Sequence, residues 1–187
     1  MLSSCAWWCV AGSRVVYTIG YGGWRLVDFV GVLRGLGVEV VVDVRRWTRS
    51  RRLPEYSSES LARALREAGL DYVWIPELGG YRRFGVDVED YGVARCFESE
   101  GFRAYATYIT RRGDVKPHLE RLVEIASSKV AAVMCRERAP WLCHRKILSD
   151  YLVARGFKVL HILDPGRLVE HRLSRCAVVK NGELDYV

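Results

Sequence analysis

Short apolar runs bounded by polar loops recur along the chain at Val15 to Ile19, Val38 to Val42, Tyr72 to Ile75, Val130 to Met134 and Lys158 to Ile162. Their length and β-branched content predict strands. The segments between them carry helical periodicity. Leu26, Phe29, Val30 and Leu33 share one helix face, as do Leu61, Leu65 and Ala68, the latter opened by Ser57 and Ser58 and closed by Gly69. A third helix is expected from Val115 to Ser128, capped by Asp114 with Pro117 in its first turn, and a fourth from Leu142 to Arg155, stopped by Gly156. This alternation predicts an α/β fold: one domain with a largely parallel five-stranded sheet and helices on both faces. After Pro165 the pattern changes. Cys176 to Lys180, Asn181-Gly182 and Glu183 to Val187 form a short C-terminal hairpin, because Asn-Gly suits a type I′ turn. Residues 1–14 are an expected extension and 15–187 the domain.

Ligands of open α/β sheets bind beyond the carboxyl ends of the strands, where this chain places its least ordinary residues. Gly20-Tyr21-Gly22-Gly23 follows the first strand and Asp43-Val44-Arg45-Arg46 the second. Pro76 to Gly80 follows the third, and Cys135-Arg136-Glu137 the fourth, with Cys143-His144-Arg145 close behind. Gly20 and Gly22 let a ligand approach the backbone, with a phosphate bonding the amides of the following helix, or else they make only a tight turn. The GYGG string is neither a dinucleotide fingerprint nor a P-loop.

Charge sharpens this picture. Lys and Arg number 29 against 22 Asp and Glu, a formal +7, which favours an anionic partner. From Arg45 to Arg52 five arginines (45, 46, 49, 51, 52) surround Trp47 without an acid, and Tyr56 follows. Guanidinium forks bind phosphate and aromatic rings stack on bases, so Arg49, Arg51 and Arg52 are candidate contacts for a nucleotide or nucleic acid. A solvated charged loop is the alternative. Asp43 and Arg45, ending a buried strand, are expected to pair and face the site.

No run of about 20 apolar residues is present, so no membrane span is expected. Met1 to Val10 is apolar but lacks the flanks of a signal peptide. Six cysteines without a CxxC pair suit a reducing compartment, hence the cytoplasm. The excess of Arg over Lys fits a hot or GC-rich source, in which an intracellular disulfide is also conceivable, with Cys135 and Cys143 as the first candidate pair.

Cys135 ends an apolar run and precedes Arg136, Glu137 and Arg138, so its thiolate is expected in positive surroundings that lower its pKa, making it a candidate nucleophile; an inert packed thiol is the alternative. Position 141 is Trp, so the Cys and Arg spacing of cysteine phosphatases is absent. Glu137 can serve as a base or hold Arg145. His144 can move protons and Arg145 can bind phosphate at the start of the last long helix, where Cys143 is expected to pack away from the pocket. Cys135, Glu137, Cys143 and His144 have the donor types of a zinc site, but seven residues between the cysteines match no usual zinc spacing, so no metal is assigned. His161 is expected to be a hydrogen-bonded histidine at a strand end.

The ordered set Tyr17-Thr-Ile-Gly20, Asp43-Val-Arg45, Ser50-Arg51, Leu78-Gly79-Gly80, Cys135-Arg-Glu137, Cys143-His-Arg145 and His161-Ile162 resembles the DUF488 family of prokaryotic proteins over about residues 15–163. The resemblance implies that family positions fall on Asp43, Arg45, Cys135, Glu137, Cys143, His144 and Arg145. Departures follow the first strand, where many members have Gly-His-Ser and this chain has Gly20-Tyr21-Gly22, and follow Arg45, where a frequent Pro is missing.

These residues lead to an expected enzyme acting on a phosphate-containing substrate, a nucleotide or nucleic acid, by hydrolysis. Cys135, Glu137, His144 and Asp43 are the candidate catalytic groups. Arg45, Arg145, Gly20, Gly22, Arg49, Arg51 and Arg52 are the candidate substrate contacts, and the sequence names no cofactor. Two other classes stand beside it: a non-catalytic nucleic-acid binding module, and a thiol redox protein using Cys135 and Cys143.

Overall fold

The computed structural model describes residues 14–187. The expected extension therefore lies outside the described residues, apart from Arg14, as do Cys5, Cys9, Trp7 and Trp8. Five strands are parallel: β1 (Val15–Gly20), β2 (Val40–Asp43), β3 (Asp71–Trp74), β4 (Ala131–Cys135) and β5 (Lys158–Asp164). A sixth, β6 (Arg167–Glu170), extends the sheet antiparallel to β5, giving the order β3-β2-β4-β1-β5-β6. This sixth strand exceeds the five expected: β6 is short and every residue in it is exposed, so it leaves no apolar signature.

Five helices cover the sheet: α1 (Leu26–Gly35), α2 (Ser58–Glu67), α3 (Glu100–Arg111), α4 (Lys116–Ser128) and α5 (Arg145–Ala154). The alternation of β4 shows how two faces are served by one apolar run. Ala131, Val133 and Cys135 join the core with Ala104, Leu122 and Leu148 of α3, α4 and α5. Ala132 and Met134 turn to the other core with Phe29 and Leu33 of α1 and Leu61 and Leu65 of α2. Burying each of these large side chains contributes about 1.5–3 kcal/mol.

Helix α3 has no counterpart in the sequence reading. Tyr105, Thr107, Tyr108, Ile109 and Thr110 are weak helix formers, and burial of this face supplies what propensity does not. The Thr107 and Thr110 hydroxyls donate back to the carbonyls of Arg103 (2.8 Å) and Ala106 (2.9 Å). Ser57 occupies the N-cap position of α2 without a capping bond, because its hydroxyl accepts the Ser50 amide instead. Asp114 does not cap α4; it sits in a 3-10 turn, Gly113–Val115, and is held by Arg112.

The C-terminal hairpin, β7 (Ala177–Lys180) and β8 (Glu183–Tyr186), turns through Asn181 and Gly182 at φ 52° and 78°. A disulfide joins Cys96 to Cys176, while Cys135 and Cys143 are both free thiols. The bridge is thus not the first candidate pair, Cys135 and Cys143: Cys176 lies at the base of the hairpin, where folding brings Cys96 within bonding reach. Among the described residues no helix is long and apolar enough to cross a membrane.

Candidate active site

Strand β4 is inserted between β1 and β2, so Cys135 ends a central strand with neighbours on both sides. The chain then turns sharply, and its carbonyls are tied to the end of β1: the Tyr21 amide donates to the Cys135 oxygen (3.0 Å) and the Gly22 amide to the Arg136 oxygen (2.8 Å). Gly20 is required by this approach, since a Cβ there would stand 1.8 Å from the Glu137 carbonyl oxygen, and at Gly22 2.9 Å from that of Arg136. The two glycines thus shape the Cys135 turn, and the amides of Tyr21 and Gly22 are spent on it rather than offered to a ligand.

Helix α5 begins three residues later than its apolar pattern suggests. Pro140–Leu142 forms a 3-10 turn, and Cys143 is extended at φ −133° and ψ 147°. With Cys143 extended, His144 at the N-cap and Arg145 the first residue of α5, the three side chains diverge differently from the sequence expectation. Cys143 does not pack away; its Sγ lies 3.6 Å from Nδ1 of His144, and the Sγ of Cys135 lies 3.8 Å from the same nitrogen. The ring is held at its far side, Nε2 standing 3.2 Å from the Val44 carbonyl, and by an edge contact with Tyr105. Arg145 turns the opposite way. Its guanidinium is 1% exposed and donates to Thr18 Oγ1 (3.1 Å) and to the carbonyls of Glu137 and Arg138. It therefore buckles the Cys135 turn from behind and does not line the pocket.

Glu137 reaches forward, its Oε2 accepting from the Cys135 thiol at 3.2 Å. The thiols divide against expectation. Cys143 at hydrogen-bonding range pushes Cys135 well above the ordinary thiol pKa, with burial and the Glu137 charge adding to the effect. Burial opposes ionisation of Cys143, but Cys135, His144 and Arg145 outweigh it and draw that thiol well below its ordinary value. Its basic sequence neighbours therefore do not leave Cys135 with the lowered pKa expected of it.

Cys135, Glu137 and His144 form the floor of a cavity of about 780 Å³. The loop after β2 lines it with Arg45, Arg46, Trp47, Arg49, Arg51 and Arg52; Gly80 and Tyr81, the latter against Arg46 and Trp47, line it as well. Asp43 is fully buried and saturated, accepting from the Arg45 amide (3.0 Å), from Arg45 Nε (2.9 Å) and Nη2 (2.6 Å), and from the Tyr72 hydroxyl (2.7 Å). With no lone pair left for a substrate proton it positions Arg45, whose remaining Nη1 donates to the Tyr56 carbonyl at 2.8 Å. Arg46 is engaged with Asp87 and the Tyr81 carbonyl. Arg49, Arg51 and Arg52 have no acceptor among the described residues, so their charges are open to the cavity.

Two contributors, Tyr81 and Thr18, were not among the candidate site residues. Tyr81 is 70% exposed, lies 5.9 Å from the ring of Trp47, and holds φ 61°, a left-handed backbone that costs a non-glycine residue about 1–2 kcal/mol. Its only signal was the preceding Gly79-Gly80, and a Cβ on Gly80 would meet His144 Nδ1 at 2.8 Å. Thr18, inside β1, links the site to the protein interior: it contacts His161 Nδ1 at 2.7 Å, and His161, His171 and Asp150 continue in a buried chain. His161 is thus a mid-strand member of a network, and burial, with His171 and Arg145 nearby, pulls its pKa down to about 3.

No curated protein and no solved structure matches the chain. A family model described as a domain of unknown function, DUF488, matches residues 25–152, from α1 into α5, and includes every residue of the cavity floor. On that match, which spans well over half of the sequence, the chain belongs to the DUF488 family.

Proposed function

We propose that the protein is a hydrolase acting on a nucleotide or nucleic acid, with Glu137 as the proton-transferring group. The observation that carries this reading is the cavity itself: Arg49, Arg51 and Arg52 of the loop after β2, without an acceptor among the described residues, and two exposed aromatic rings at the rim, over a floor of Cys135, Glu137 and His144. Arginine forks suit phosphate, and Trp47 and Tyr81 suit the face of a base. Glu137, in that floor, is partly exposed and carries a carboxylate able to take a proton from water. Asp43 holds Arg45, which itself lines the cavity.

A panel of nucleotides and oligonucleotides tests this. Turnover of at least one is expected, with Glu137→Gln lowering kcat by about 100-fold or more while KM changes little. Salt-sensitive binding without turnover of any member would replace it with the nucleic-acid binding module. We place the protein in the cytoplasm, where such substrates reside; the Cys96–Cys176 bridge then points to a hot-adapted source, since intracellular disulfides persist there.

A further inference from the structure

We propose that Cys135, Cys143 and His144 bind one zinc ion whose fourth position opens toward Glu137 and the cavity. This deepens the hydrolase reading and rests on it only for the substrate; the metal site stands on its own geometry. The three donor atoms lie within 4.8 Å of one another, and all three residues are buried. Zinc bonds of about 2.3 Å to sulfur and 2.0–2.1 Å to nitrogen, at tetrahedral angles, require nitrogen-to-sulfur edges of about 3.6 Å. The edges here are 3.6 Å to Cys143 and 3.8 Å to Cys135.

Three further features fit a metal and not merely packed thiols. His144 Nε2 lies against the Val44 carbonyl, which makes that nitrogen the protonated one and leaves Nδ1 bare between the two sulfurs, as a backbone carbonyl commonly orients a metal-bound histidine. Gly80 leaves Nδ1 room that any side chain would fill. The adjacent cysteines stay free in a chain that forms a disulfide elsewhere. The linear spacing that argued against zinc is bridged by the 3-10 turn at Pro140–Leu142, which returns Cys143 to the end of β4.

Two cysteines and one histidine leave the coordination open, the pattern of a catalytic rather than a structural zinc. Glu137, two residues after one ligand and 3.2 Å from its sulfur, is placed to serve the water in that position. Zinc nucleobase deaminases hold their proton-transfer glutamate by the same two-residue step from a ligand, with later ligands following a proline. Bound water gives its proton to Glu137 as its oxygen bonds to the electrophilic atom of the substrate. Glu137 returns the proton to the departing atom as the old bond breaks, and zinc remains divalent throughout.

The test is metal content of the full chain produced with zinc and purified without chelator. About one zinc per chain is expected, with loss in Cys143→Ser and His144→Ala and retention in Glu137→Gln. Folding of the variants is checked by circular dichroism. Because a ligand variant can fail to fold, the wild-type protein is also stripped and reloaded with cobalt alone. Thiolate-to-cobalt charge transfer with the intense bands of tetrahedral cobalt is expected. A metal-free wild type that takes up no cobalt, an octahedral cobalt spectrum, or a Cys135–Cys143 disulfide in freshly purified protein overturns the site. Turnover by metal-free protein would remove zinc and leave the hydrolase reading intact. A zinc-loaded protein that neither binds nor hydrolyses nucleotides would do the reverse.

Discussion

Gly20 and Glu137 lie so close that no side chain fits at position 20: an ideal Cβ would be 1.8 Å from the Glu137 carbonyl oxygen and 2.8 Å from the Arg138 Cα. Both obstacles are backbone, so neither can swing aside. The end of β1 and the turn after β4 are thereby a single packed unit, and the position of Glu137 depends on Gly20.

Gly20→Ala should therefore displace the Cys135 turn and cost about 3 kcal/mol. Urea denaturation measures this against Gly31→Ala, where a Cβ meets nothing within 4 Å. Equal stability of the two variants would mean that the turn is not held as described.

Tyr81 separates stability from binding. Replacing it with Gly relieves the left-handed backbone and should stabilise the fold by about 1 kcal/mol, while removing one of the two exposed rings should weaken binding of a base by about 1–3 kcal/mol. Thermal melts and nucleotide titrations of the same variant read both. A loss of stability with binding intact would assign Tyr81 to packing.

The parallel sheet and the edge at which the polar loops gather were legible from the apolar runs, because a strand buried on both faces leaves a continuous hydrophobic signature. What escaped depended on contacts distant in sequence. Helix α3 is held by burial of Tyr105 and its neighbours against weak propensity. The three-residue delay of α5 reversed the roles of Cys143 and Arg145, because Cys143 in an extended backbone faces His144 while Arg145 is drawn behind the sheet edge by Thr18 and two carbonyls. Local charge marks Cys135 as reactive, but folding brings the Cys143 thiol beside it, and that neighbour pushes the Cys135 pKa up. Asp43 and Arg45 were readable as a pair; that the pair leaves no capacity for a substrate proton was not, because Tyr72 and the Arg45 amide arrive only on folding.

Acid stability should carry the signature of His161. Its pKa falls from 6.5 in the unfolded chain to about 3 in the folded one. Below pH 6.5 the unfolded state therefore binds a proton that the native state refuses. Stability present above pH 6.5 is lost on descent, by about 1.4 kcal/mol per unit once well below that value. His161→Gln should flatten this slope between pH 6.5 and 5, above the range in which the native carboxylates titrate. Parallel slopes for variant and wild type would contradict the buried neutral histidine.

Arg49, Arg51 and Arg52 should act through phosphate. Their joint replacement by Ala should weaken binding of a single-stranded oligonucleotide and reduce the slope of log K against log salt by about two units, three contacts at ~0.7 each. Fluorescence titration over a salt series decides. An unchanged slope would take this loop out of the binding surface.

The central claim, one cavity that holds the phosphate at its rim and the reacting bond at its floor, is tested most directly by a crystal structure of Glu137→Gln with a bound nucleoside phosphate. The account predicts phosphate oxygens within hydrogen-bond reach of the Arg49 to Arg52 loop, the base against Trp47 and Tyr81, and the substrate directed toward residue 137 beside Cys135 and His144. A nucleotide seated elsewhere on the surface, or a cavity left empty at concentrations that saturate binding in solution, would contradict it.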